Sequence, residues 1–86
     1  MTTASDERAP EVLDLRGLKC PLPALFARRM LARTADGTCI TVVADDPLAG
    51  VDIPHMCHQE NFEVVALEQS GSEWRLTIRK PARVPG

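Results

Sequence analysis

One cysteine lies between a turn glycine and two prolines, in the stretch GLKCPLP at residues 17–23. A thiol acts as a nucleophile when it is exposed and loses its proton, and the positive end of a helix macrodipole favours that loss. Because Cys20 precedes a helix that begins near Pro21, the sequence predicts a lowered pKa for its thiol. Lys19 and Arg16 add positive charge that acts in the same direction, although salt screens exposed side chains.

The two prolines limit this effect and indicate a role for the site. Pro21 and Pro23 have no N–H group, so the first turn offers only Leu22 and then Ala24 as backbone donors to the sulfur. We therefore expect only moderate acidification of Cys20. The prolines are better explained as rigid residues that hold the thiol outward, towards the active site of another protein.

The helix that starts here has two different apolar sides. One side carries small residues and a leucine: Ala24, Ala27 and Leu31. The opposite side, which we call the docking patch, carries larger apolar residues and arginines: Leu22, Leu25, Phe26, Arg29 and Arg33. Both sides cannot face one sheet, and the sequence alone does not choose between them. If the small residues are buried, the docking patch is an exposed apolar surface beside Cys20, typical of a partner-binding site.

The other candidate residues favour structural roles. Cys57 falls within a helix and Cys39 within a strand, so both are expected to be inert structural thiols. His55 and His58 could share a helix face, but Cys57 points elsewhere and no fourth ligand has suitable spacing. We therefore predict no metal site.

The segments that must position these residues alternate between strand and helix. Four segments have strand-like alternation or β-branched composition: residues 11–16, 38–44, 62–69 and 73–80. Residues 21–34 suit the first helix, because Pro21 is favoured in a first turn. Trp74, Leu76 and Ile78 alternate with polar residues, so helices are expected to cover one face. The sequence predicts an α+β fold, a two-layer α/β sandwich in βαβαββ order with two helices on one face of a four-stranded mixed sheet.

The second helix is expected to be kinked or to consist of two pieces. Asp46 before Pro47 is typical of a cap at its start. Pro54 should interrupt or restart the helix, because proline removes one hydrogen bond and clashes with the preceding turn. Asp52 could cap the second piece, which would run to about Glu60.

Composition restricts the classes of function. The 86 residues fit one domain at 11–80, with a disordered tail at 1–10 and a flexible tail at 81–86. A domain of this size has little room for a buried cavity, which favours a carrier over a self-contained enzyme. The formal charge of −2, with no Tyr, two Phe and one Trp, argues against nucleic-acid binding.

The sequence also bears on location. It contains no apolar run that follows a basic start and no stretch of membrane-spanning length. Three irregularly spaced cysteines suit reduced thiols better than a secreted disulfide framework. We therefore expect a cytoplasmic protein with no membrane partner.

Two motifs together resemble a known family. GLKCPLP at residues 17–23 resembles the Cys-Pro-x-Pro signature of the TusA/SirA-like sulfur carrier proteins, and ADDPLAGVDIPHMC at 44–57 resembles their second motif. The resemblance runs from about Leu13 to Lys80. It implies a sandwich similar to the C-terminal domain of a bacterial translation initiation factor. It also implies that Cys20 accepts sulfur as a persulfide and passes it on.

The resemblance implies partners as well. It indicates a sulfurtransferase whose turnover depends on a cysteine desulfurase or rhodanese-type sulfur donor and on a downstream sulfur-acceptor protein. Such a carrier needs no cofactor, and a monomer is the simplest form that exposes Cys20 to two partners in turn. Four destinations of the sulfur stay open: tRNA thiolation, molybdenum cofactor assembly, sulfur oxidation and thiosulfate uptake.

Two alternative functions also stay open. A non-catalytic regulatory or interaction module would use the same fold without carrying sulfur, and Cys20→Ser would leave it active. A thiol redox protein would cycle Cys20 against Cys57 or Cys39 and form an intramolecular disulfide on mild oxidation. A CxxC dithiol mechanism is excluded, because Pro23 occupies the position of the second cysteine.

Overall fold

The computed structural model describes residues 11–82 and contains the predicted element order. The elements are β1 (Glu11–Asp14), α1 (Leu22–Arg33), β2 (Cys39–Ala44), α2 (Ala49–Glu60), β3 (Glu63–Ser70) and β4 (Glu73–Arg79). The predicted tail at residues 1–10 lies outside the described residues, and so do residues 83–86 of the predicted tail at 81–86. None of the helices within residues 11–82 is long and apolar enough to cross a membrane.

The four strands form one mixed sheet in the order β1-β2-β4-β3. β1 pairs with β2 in parallel, as a strand-helix-strand unit requires, whereas β4 runs antiparallel to both β2 and β3. The last strand in the sequence is therefore an interior strand. Its pairing places Ile78 opposite Ile40 and Leu76 opposite Val42.

One face of the sheet carries the hydrophobic core and both helices. Because side chains alternate along a strand, every second residue of β2 and β4 points to this face: Ile40, Val42, Ala44, Leu76 and Ile78. Leu15, just after β1, joins the same cluster. The helices contribute buried residues to the same cluster: Ala27 and Leu31 from α1, and Ala49, Ile53, Met56 and Cys57 from α2. The predicted sandwich, with two helices on one face, is confirmed.

The prediction that the second helix consists of two pieces is wrong, whereas the alternative of a kink stays a prediction. α2 is one helix, with Pro54 inside it. Pro54 is its sixth residue, beyond the first four N–H groups that have no helical partner, so the proline removes one helical hydrogen bond, the one to the Gly50 carbonyl oxygen. Burial of Ile53, Met56 and Cys57 on both sides of the proline stabilises the continuous helix.

Only one of the two aspartates predicted to cap a helix in this region does so. Asp46 does support the start of the helix, since its Oδ2 atom accepts the Leu48 N–H at 3.0 Å. Asp52 does not cap a second piece. It lies in the first turn of α2 and points towards α1.

Candidate functional site

A tight turn places Cys20 at the surface just before α1. Gly17 has a φ of 89°, a left-handed conformation that favours glycine, and its N–H donates to Asp45 Oδ1 at 2.9 Å. Cys20 is exposed and joined to Pro21 by a cis peptide bond. Pro21 is the N-cap residue, so α1 starts one residue later than predicted.

One backbone N–H group at the start of α1 donates to an acceptor other than the Cys20 sulfur. The Leu22 N–H donates to the carbonyl oxygen of Lys19 at 2.8 Å rather than to the Cys20 sulfur. Pro23, in the first turn, has no N–H to offer. Of the two backbone donors that the prolines leave available, Leu22 is therefore engaged by another acceptor.

The partner of the Cys20 thiol is a carboxylate from the second helix. The Cys20 Sγ–H donates to Asp52 Oδ2 at 2.6 Å. This hydrogen bond, followed by desolvation and by the negative charges of Asp52 and Asp46, raises the pKa of Cys20 above its ordinary value. The predicted lowering of that pKa is wrong, because a facing carboxylate outweighs the helix dipole.

Arg16 is engaged by acidic neighbours instead of by the thiol. Its guanidinium donates to both carboxylate oxygens of Asp14, at 2.9 and 2.8 Å, and lies 3.7 Å from Glu73. These hydrogen bonds lower the pKa of Asp14 to about 2. The charged groups that shift the pKa of Cys20 are both acidic, Asp52 and Asp46. Electrostatic support of Cys20 by Arg16 and Lys19 stays a prediction.

A groove of about 400 Å³ runs between α1 and α2 and includes Cys20. Asp52 and His55 line it from α2, whereas Arg28 lines it from α1 and lies 3.9 Å from Glu60. The groove is open to solvent, so a macromolecular partner can reach the sulfur.

The structure decides which side of α1 is buried. Pro23, Ala27 and Leu31 face the core. The apolar residues of the docking patch are exposed: Leu22 by 40%, Leu25 by 46% and Phe26 by 38%. The Arg29 guanidinium lies 5.8 Å from the centre of the Phe26 ring, a cation–π arrangement. Of the two alternatives that the sequence leaves open, the structure has the one in which the docking patch is exposed.

Sequence reasoning missed part of this surface. Leu48 and Val51, at the start of α2, are 52% and 64% exposed. Val51 immediately precedes Asp52 in the sequence, and Leu48 is the N-cap residue of α2. The second motif, at residues 44–57, contains Val51 and Asp52 and is the sequence feature that could have indicated this surface. From the sequence, Asp52 was explained as a helix cap alone.

The other two cysteines are free and less accessible than Cys20. Cys57 is 1% exposed, as predicted, and burial raises its pKa to about 11. Cys39 is half-buried at the start of β2. His55 and His58 are exposed, and within residues 11–82 no group of three or more His, Cys, Asp or Glu side chains could hold a metal ion.

Comparison with known proteins assigns the family. The sequence model of the family described as "Sulfurtransferase TusA" matches residues 11–80. The chain belongs to the TusA sulfurtransferase family. Members of this family act in sulfur relay with partner proteins, so the general role is sulfur transfer.

A solved structure supports the same fold. The crystal structure of the SirA-like protein from Desulfitobacterium hafniense matches with a TM-score of 0.71 and 24% sequence identity. The match covers 81% of this chain and 96% of that one. The resemblance found in the two sequence motifs and the βαβαββ sandwich are thus both confirmed.

Proposed function

We propose that this TusA-family protein is a sulfur-relay carrier that holds sulfane sulfur as a persulfide on Cys20. The donor is a cysteine desulfurase or a rhodanese-type protein, and the recipient is a downstream acceptor protein. The observation that carries this proposal is the exposed thiol at the start of α1, within the family's Cys-Pro-x-Pro motif and beside an apolar patch. Cys39 and Cys57 are less exposed than Cys20.

The transfer needs only thiol exchange. The Cys20 sulfur attacks the outer sulfur of the donor persulfide, and a new S–S bond forms. The donor's own S–S bond breaks, its cysteine leaves as a thiolate, and that thiolate takes up the proton that Cys20 released. The carrier then holds one extra sulfur, and the same exchange with the acceptor returns Cys20 to the thiol.

We propose that the docking patch binds the donor. α1 carries three arginines and no acidic residue, although the whole chain has a formal charge of −2. An apolar centre with a basic rim fits a partner surface that has an apolar centre and an acidic rim. Leu48 and Val51 are further exposed apolar residues, at the start of α2.

The proposed setting is the cytoplasm. Cys20, Cys39 and Cys57 are free thiols, and reducing compartments keep thiols in this state. We propose that the carrier acts as a monomer, because donor and acceptor must reach Cys20 in turn.

Intact-protein mass spectrometry tests the persulfide. Wild type, Cys20→Ser and Cys57→Ser are incubated with cysteine and a cysteine desulfurase. We expect a reducible gain of one sulfur in wild type and Cys57→Ser, and no gain in Cys20→Ser. If wild type gains no sulfur from several desulfurases or a rhodanese-type donor, the carrier function is wrong.

A binding measurement tests the docking patch. Phe26→Ala and Arg29→Ala should weaken binding to the desulfurase, by roughly tenfold for an interface anchor, while the thermal midpoint changes little. Val12→Ala is the matched control, because Val12 is 59% exposed but lies on the sheet face away from the helices. A large loss of stability in the patch variants would mean that these residues belong to the core.

A further inference from the structure

The contact between Cys20 and Asp52 opposes the reactivity that sulfur transfer requires. The thiol donates to Asp52 Oδ2 at 2.6 Å, and Asp52 is half-buried in the first turn of α2. A carboxylate at this distance stabilises the protonated thiol and destabilises the thiolate. The site therefore contains a thiol that resists losing its proton.

The surrounding charges do not remove this effect. The titratable side chains that line the groove with Cys20 are Arg28, Asp52, His55 and Glu60. Arg28 lies 3.9 Å from Glu60, so the Glu60 carboxylate offsets part of the positive charge of Arg28. Asp46 acts on the Cys20 thiol in the same direction as Asp52, and Lys19, the nearest cation in the sequence, is exposed.

The same carboxylate acts on Cys20 when the cysteine carries sulfur. In the loss of that sulfur, an incoming thiolate bonds to the outer sulfur and the bond from the outer sulfur to Cys20 Sγ breaks. The bonding electron pair stays on Sγ, which leaves as a thiolate and then takes a proton from water. Thiols that are poorer acids leave more slowly in such exchange, and Asp52 faces the Sγ atom on which the charge develops.

We propose that Asp52 is a retention residue, whose charge beside Cys20 Sγ slows the loss of the carried sulfur to small thiols and keeps it for the acceptor protein. This role rests on the proposed function, since it requires a persulfide on Cys20. A docked acceptor relieves the barrier by holding a cation or a proton donor against Asp52. A small thiol that diffuses to the groove has no such group in a fixed position.

Persulfide lifetimes test this role. Wild type, Asp52→Asn, Asp52→Glu and Glu68→Gln are loaded with a cysteine desulfurase and cysteine, separated from the donor and incubated with glutathione. The extra sulfur on Cys20 is followed by intact-protein mass spectrometry. We expect Asp52→Asn to lose sulfur at least about threefold faster than wild type, because its leaving thiolate is more stable. Asp52→Glu, which keeps the charge, should lie between them, and Glu68→Gln, which removes an exposed carboxylate of β3 outside the groove, should match wild type.

The unloaded proteins provide an independent readout. The rate of Cys20 alkylation by iodoacetamide, measured across pH, should have its midpoint at lower pH in Asp52→Asn but not in Glu68→Gln. Comparison with Asp52→Glu separates an effect of charge from one of altered folding.

The outcomes separate this role from the proposed function. Equal or longer persulfide lifetimes in Asp52→Asn than in loaded wild type would overturn the retention role and leave the carrier function standing. A wild-type protein that takes up no sulfur would overturn the carrier function itself, and the retention role with it.

Discussion

Cys20 and Cys57 are both thiols with a raised pKa, but the cause differs. Burial raises the pKa of Cys57 to about 11, whereas Cys20 is exposed and its shift comes first from the hydrogen bond to Asp52. Burial removes Cys57 from solvent and partners together. A carboxylate restrains Cys20 while leaving it within reach. The two thiols differ in accessibility rather than in the direction of their pKa shifts, so we expect accessibility to decide which of them reacts.

The largest expected difference between the two thiols is in their alkylation rates. In the native protein, iodoacetamide should label Cys20 at least about 1000-fold faster than Cys57, because Cys57 reacts only after an opening that costs about 4 kcal/mol. Peptide mapping after timed labelling measures both rates. In urea the two rates should converge. Comparable rates in the native protein would mean that Cys57 is accessible and would favour a redox pairing of the two.

The second difference is in the dependence of stability on pH. The ordinary pKa of Cys57 is 9.0 and its native value is about 11, so the unfolded chain releases this proton first as pH rises. The stabilisation is fully present below pH 9 and should be lost between pH 9 and pH 11, by about 2 to 3 kcal/mol in the free energy of unfolding. Urea titrations at a series of pH values measure this loss.

Cys57→Ala is the control for this pH effect. The variant is less stable at every pH because a cavity remains, but its free energy of unfolding should fall less steeply above pH 9 than that of wild type. Equal slopes in the two proteins would assign the alkaline loss to other groups. Exposed Cys20 has a raised pKa too and adds to the slope in the same direction, so Cys20→Ser is measured alongside.

The smallest expected difference is in the free energy of unfolding that is lost when each cysteine is replaced by serine. Cys57→Ser buries a hydroxyl group in the core and should lower the free energy of unfolding by about 1 to 3 kcal/mol. Cys20→Ser should change it by less than about 0.5 kcal/mol, because the site is exposed and serine can also donate to Asp52. Fluorescence of Trp74, the single tryptophan, follows unfolding. A loss in Cys20→Ser as large as that in Cys57→Ser would show that the Cys20 site stabilises the fold.

Local patterns were sufficient to predict most of the fold. Leu76 and Ile78 alternate with polar residues, and this period of two forces them onto one face whatever lies above them. Pro54 shows where such rules fail. Proline does remove a helical hydrogen bond, but the free energy gained by burying the residues around Pro54 outweighs that cost. This burial depends on the whole sandwich.

The site was predicted only in part for a similar reason. The position of Cys20 before a helix follows from neighbouring residues, and so does the split of α1 into two apolar sides. The direction of the Cys20 pKa shift depends instead on Asp52, which is 32 residues away in the sequence. That contact exists because α1 and α2 pack side by side on the sheet, and no local pattern encodes their relative placement.

The position of β4 has a consequence for biosynthesis. This strand is made last but lies between β2 and β3, so the sheet cannot be completed while residues 73–79 remain inside the ribosome. Trp74 of this strand also packs closely against Gly50 of α2, the helix that carries Asp52. In a nascent chain, the packing of α2 that holds Asp52 beside Cys20 can therefore be completed only after residues 73–79 have left the ribosome.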